Sequence, residues 1–148
     1  MIPNVFVDTW GWVALGNSSD CHHKEACEIF KVITTKHCKL TTSDFVLDET
    51  ISLLSRRVFH GKVSTFIDGI LAMRKQNELS LVAVDDQVFH AAWVLRKKLS
   101  DKPKLSFTDC TSFVIMKTNN ISQVVTADQH FLQVNMGFSL FSSGQSHL

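Results

Sequence analysis

Ser106-Phe107-Thr108-Asp109-Cys110-Thr111-Ser112-Phe113-Val114-Ile115-Met116 sets a carboxylate in the first turn of a helix whose other inward positions are apolar. At 3.6 residues per turn Asp109, Phe113 and Met116 share one stripe, which turns Asp109 toward the protein instead of cleanly into solvent. An unpaired buried charge is costly, so the position needs a reason. One reason is a capping box, because Ser106 and Asp109 have the S-x-x-D spacing of a helix start and a carboxylate there meets the positive end of the helix dipole. The other is that Asp109 belongs to a set of acids that an α/β fold brings together. This segment alone leaves both open.

Working outward, strand-like and helix-like stretches alternate. Val5-Phe6-Val7 is β-branched and aromatic, as suits a buried parallel strand, and Asp8 ends it. A short apolar helix through Trp10, Trp12, Val13 and Leu15 stops at Gly16, and residues 17–20 have turn chemistry. Helical spacing over 21–36 leads to a strand over 39–41. Thr42 or Ser43 can cap a helix running to Arg57, and Gly61 breaks the chain before another helix that ends near Asn77. Residues 79–84 read as a strand, and Asp85 caps a helix with Val88, Ala92, Leu95 and Leu99 on its inner stripe. The helix from Ser106 ends at Asn119-Asn120, strands follow over 124–128 and 137–141, and a helical turn through Phe131 and Leu132 lies between them. The alternation β-α-β-α-α-β-α-α-β-α-β predicts an α/β fold, a three-layer α/β/α sandwich around a mostly parallel sheet.

The 148 residues suit one domain with a real core, over 1–148, with 142–148 expected to be a frayed tail. Apolar residues at 45% and charged residues at 20% are globular values that exclude a disordered chain. A net charge of +1 supplies no global attraction for polyanions, so any nucleic-acid affinity must come from local patches. The start of the chain has neither a basic n-region nor a long apolar stretch, and no run approaches membrane-spanning length, so no leader and no membrane contact are expected. Cys21, Cys27, Cys38 and Cys110 then read as reduced thiols of a cytoplasmic protein.

Four acids stand out. In open α/β sheets ligands bind beyond the carboxyl ends of strands, which is where Asp8 and Asp128 are expected. Asp8 can also be a plain helix N-cap before Thr9. Asp48 and Glu49 are separated by register: Asp44, Asp48, Ser52 and Ser55 line a polar stripe, whereas Glu49 falls with Phe45, Val46 and Leu53 on the apolar side. The plainer role for Glu49 is a salt bridge to Arg56 or another base. One metal site accounts for Asp8, Glu49, Asp109 and Asp128 together, since such carboxylates coexist at close range only if a cation neutralises them. Oxygen-only ligation points to Mg²⁺ or Mn²⁺. Cys21, His22, His23, Cys27, His37 and Cys38 raise a zinc alternative, but they offer no C-x2-C or H-x3-H spacing. Among the lysines, Lys97 and Lys98 compensate a helix C-terminus, while Lys102 and Lys104, in the Pro103 loop just before Asp109, are candidates for phosphate contacts.

At these residues the sequence resembles the PIN-domain ribonucleases, and among them the VapC-type toxins of bacterial toxin–antitoxin pairs. The resemblance rests on residues 5–9, on 42–50 around Glu49, on Ser106-Phe107-Thr108-Asp109, and on residues 126–131 around Asp128. It implies that Asp8, Glu49, Asp109 and Asp128 ligate Mg²⁺ or Mn²⁺, directly or through water, with Thr9, Ser106 and Thr126 as supporting hydroxyls. It further implies a metal-activated water that cleaves RNA, a homodimer, and a cognate antitoxin protein that covers the cleft. The alternative is a PIN-like module that holds RNA or a protein without cutting, which should show no divalent-dependent loss of substrate. A haloacid-dehalogenase phosphatase needs a second acid two positions after the first, where this chain has Trp10.

Overall fold

The computed structural model describes residues 2–142, so all of the expected frayed tail except Ser142 lies outside the described residues. The elements run β1 (Asn4–Val7), α1 (Thr9–Gly16), α2 (His23–Thr35), β2 (Lys39–Ser43), α3 (Asp44–Arg57), α4 (His60–Lys75), β3 (Leu79–Val82), α5 (Asp86–Lys98), α6 (Phe107–Thr118), β4 (Gln123–Val125), α7 (His130–Gln133) and β5 (Ser139–Leu140). The strands form one sheet in the order β3-β2-β1-β4-β5, and every pairing is parallel. The expectation of a mostly parallel sheet is thus met by a wholly parallel one.

β1 is central because its side chains have no face to give to water: Val5, Phe6 and Val7 are each 0% exposed. The chain moves outward from β1 through β2 to β3, then returns to lay β4 on the other side of β1. Right-handed crossovers therefore place α1 to α4 on one face and α5 to α7 on the other. Each layer has its own aromatic packing, Trp12 with Phe30 and Phe66 on the first and Phe113 with Phe131 and Phe138 on the second. Trp12 is also tied to the sheet, its indole N–H donating to Thr42 Oγ1, which in turn donates to the Val7 carbonyl.

The helix starts follow local chemistry. Ser43 and Asp85 each accept a hydrogen bond from the backbone N–H three residues on, and Ser106 with Asp109 forms the complete capping box. The two helices read between the first and second strands are both present, and three details differ from the sequence reading. α4 starts before Gly61, at His60, with the chain turning at Phe59. β3 stops at Val82, where a turn bonds Asp85 N–H to the Ala83 carbonyl. β4 stops at Val125, because the Thr126 hydroxyl accepts from Asp128 N–H and curls the backbone out of the ladder.

Candidate active site

The strand order reverses direction at β1 and β4, and in open α/β sheets the crevice beyond that switch point is where ligands sit. Asp8 follows β1 directly, and Asp128 lies three residues past the end of β4. Asp109 enters from the first turn of α6 and Glu49 from α3. All four line one cavity of about 540 Å³. Asp48, next to Glu49, faces solvent as its register requires.

The crowding has an electrostatic signature. Burial, followed by the nearby charge of Asp109 and with Glu49 contributing, pushes the Asp8 carboxyl up to about 7. Asp109 is also raised, first by burial, then by the charges of Asp128 and Glu49, with its Ser106 hydrogen bonds working the other way. No ion pair to Asp8, Glu49 or Asp109 occurs among the described residues, so the Arg56 bridge considered for Glu49 is not formed there.

Hydroxyls hold the acids in place. Thr126 Oγ1 donates to Asp8 Oδ2 at 3.0 Å and accepts from Asp128 N–H at 3.0 Å, so one side chain links the acid after β1 to the acid after β4. Ser106 N–H donates to Asp109 Oδ2 while Ser106 Oγ accepts from Asp109 N–H, each at 3.0 Å. The cap and the functional reading of Asp109 therefore coexist: the cap occupies one oxygen and aims the carboxylate. Thr9 lines the cavity with a buried Oγ1 that has no hydrogen-bond partner among the described residues.

These groups fit a hard divalent cation. The donors are oxygens, the carboxylates repel one another, and a buried hydroxyl is left unsatisfied, all of which a cation would relieve. Asp109, Asp128 and His130 offer ligand atoms within 4.8 Å of one another. His130 Nδ1 is 2.8 Å from Asp128 Oδ1, though out of hydrogen-bond alignment. The Cys/His-rich segment does not gather in this way among the described residues, where only Cys27 and His23 approach, at 3.4 Å.

Lys102, which pairs with Asp101 at 3.1 Å, and Lys104 do not line the cavity. The positively charged side chain that does is Arg57, joined by Trp10 and His22. Arg57 had a signal in the sequence, since it continues the i, i+4 series Glu49, Leu53 along α3. His22 had none, because a turn at residues 17–22 brings it over the cavity.

A parallel α/β sheet with carboxylates converging at its switch point defines the class, and residues 5–136 match the PIN domain: the chain belongs to that family. Over 127 residues it is 32% identical to the 23S rRNA-specific endonuclease VapC20 of Mycobacterium tuberculosis, covering 86% of this chain and 91% of the relative. The crystal structure of M. tuberculosis VapC20, described as a sarcin-ricin loop cleaving toxin, aligns with a TM-score of 0.76 at 29% identity, over 88% of this chain and 95% of that one. VapBC2 from Rickettsia felis, crystallised with a promoter DNA fragment, shares the fold with a TM-score of 0.68 at 16% identity, over 93% and 96% of the two chains.

Proposed function

We propose that this protein is an endoribonuclease that hydrolyses RNA phosphodiester bonds with Mg²⁺ or Mn²⁺, and that it is the toxin of a toxin–antitoxin pair. The observation that carries the reading is the convergence of Asp8, Glu49, Asp109 and Asp128, from four separate parts of the chain, on one cavity with no protein cation paired to the first three among the described residues. Membership of the PIN family and the endonuclease relative support it.

Asp8, Glu49, Asp109 and Asp128 would hold the ion, with the Thr9 hydroxyl beside them. When bound, such an ion would make a coordinated water more acidic and would steady the negative charge that builds on phosphorus. The chain's own part is positional. Thr126 keeps Asp8 and the backbone at Asp128 in fixed relation, and Ser106 aims Asp109. No side-chain nucleophile is needed, and Cys21, the thiol in the cavity lining, takes no part in this chemistry.

A single domain over 1–148, a cytoplasmic location, a homodimer and an inhibitory antitoxin complete the proposal. The family match over 5–136 supports the first, four free cysteines support a reducing compartment, and Phe89 and Trp93, about half exposed on α5, support burial against a second chain. No helix among the described residues is long and apolar enough to cross a membrane. Lys104, exposed beyond the cavity, is open to RNA backbone, whereas Lys102 would first have to leave Asp101.

The test is cleavage of total RNA by the purified protein, read by end sequencing, with Mg²⁺ or Mn²⁺ and with chelator. Divalent-dependent cuts that vanish in Asp109→Asn are expected. Cutting that survives either the chelator or the substitution rejects the site, and RNA bound but never cut favours the non-catalytic module.

A further inference from the structure

Resting on the endonuclease reading, we propose that Trp10 and Arg57 form a nucleotide subsite in the wall of the acidic cavity, the indole stacking on an unpaired base and the guanidinium holding an adjoining phosphate. Phosphate chemistry at a cation needs carboxylates and water; it needs no aromatic wall. This cavity has one. Trp10 and His22 line it together with Val13 and Leu53, on the side opposite in chemistry to the four acids.

The position of Trp10 is not a by-product of core packing. α1 is apolar on all sides, so hydrophobicity alone does not choose which tryptophan turns inward. Trp10 and Trp12 lie about 200° apart on the helix. Trp12 takes the core at 1% exposure and bonds Thr42, which leaves Trp10, only partly buried, facing the cavity two residues from Asp8. His22 packs against it with ring centroids 5.5 Å apart and planes at 53°, and the turn that carries His22 is pinned by Asp20 Oδ1 accepting from His22 N–H at 2.8 Å. The indole is thus braced from one side. Every base has a π-face, and stacking on such a ring recognises bases that are splayed out of a helix, the form in which RNA is usually read.

Arg57 supplies the complementary charge. It is the last residue of α3, its side chain is exposed, and it makes no ion pair among the described residues although it shares a cavity with five carboxylates, the four site acids and Asp20. A planar guanidinium not committed to a protein partner suits a phosphate oxygen. The combination selects single-stranded or looped RNA, whose base can reach Trp10 while the backbone crosses the acids.

The experiment pairs protein and substrate changes, so it does not depend on how well one variant folds. An oligoribonucleotide spanning a mapped cut site is made with an abasic residue at each position in turn and tested against wild type, Trp10→Ala and Trp10→Phe. In wild type one position near the cut should raise KM about tenfold with kcat little changed. In Trp10→Ala the intact oligonucleotide should already carry that loss and the abasic one add nothing, while Trp10→Phe keeps most of the effect. Arg57→Ala should weaken binding for every sequence and lower the salt slope of log Kd by about one. Additive losses, or the same base dependence in Trp10→Ala as in wild type, overturn the subsite. If wild type cuts no RNA the nuclease reading fails, and the same cycle read as Kd on an oligoadenylate still decides for or against stacking.

Discussion

At Asp8 burial and the carboxylate charges of Asp109 and Glu49 act against ionisation, and this sets the direction of a pH effect on stability. Between the ordinary value of 3.8 and about 7 the folded protein keeps a proton that the unfolded chain has released. Folding is therefore favoured at the acid end of that window and loses stability as pH rises through it, by an amount on the order of a few kcal/mol from this group alone. Urea unfolding in chelator should show the midpoint falling from about pH 4 to about pH 7, and Asp8→Asn should flatten that decline. A wild-type midpoint that rises over the same range contradicts the burial and crowding assigned to Asp8. Thr126 is testable beside it. Thr126→Val keeps the shape but removes the bonds to Asp8 Oδ2 and Asp128 N–H, and activity should drop roughly 10–100-fold, as for other residues that orient ligands. Thr126→Ser, which keeps the hydroxyl, should retain most of it, and circular dichroism should find both variants folded.

Among the elements, α6 and α1 do most to shape the site. α6 begins at the capping box, so Ser106→Ala removes a helix cap worth about 1 kcal/mol and at the same time loosens Asp109. A melting temperature about 2–4 °C lower, with a larger proportional loss of activity, is expected from differential scanning calorimetry and cleavage assays side by side. α1 rests so closely on the sheet that a Cβ on Gly11 would stand 3.1 Å from the Val125 carbonyl oxygen and 3.0 and 3.1 Å from Val125 and Val7 methyls. The carbonyl oxygen belongs to the ladder and has little room to give, so Gly11→Ala should destabilise by roughly 1–3 kcal/mol despite alanine's better helix propensity. A neutral or stabilising result in urea titration would mean that α1 can lift without cost. Caps at Ser43, Asp85 and Ser106 were readable in the sequence because capping involves residues within one turn. The early end of β4 was less so, since it depends on the Thr126 hydroxyl, whose other partner, Asp8, is 118 positions away in the chain.

For the molecule as a whole, a divalent ion that binds only the folded acids should stabilise it by mass action. At pH 8 and saturating Mn²⁺ the melting temperature should rise by several degrees, and the rise should be lost in Asp8→Asn and Asp109→Asn; a tenfold excess over Kd corresponds to about 1.4 kcal/mol. An equal rise in those variants would place the ion elsewhere. Alternating strand and helix patterns, the turn residues between them and the four acids at strand ends and inward helix positions were all present in the linear sequence, because periodicity and capping are properties of neighbouring residues. Which strands lie side by side, and so that Asp8 and Asp128 flank the switch point, followed only from the β3-β2-β1-β4-β5 order. So did the difference between Lys102, turned to Asp101, and Arg57, turned to the cavity. Local sequence determined the elements and their inward faces; packing between distant segments decided which charges meet, because burial and Coulomb interaction depend on separation in space and not along the chain.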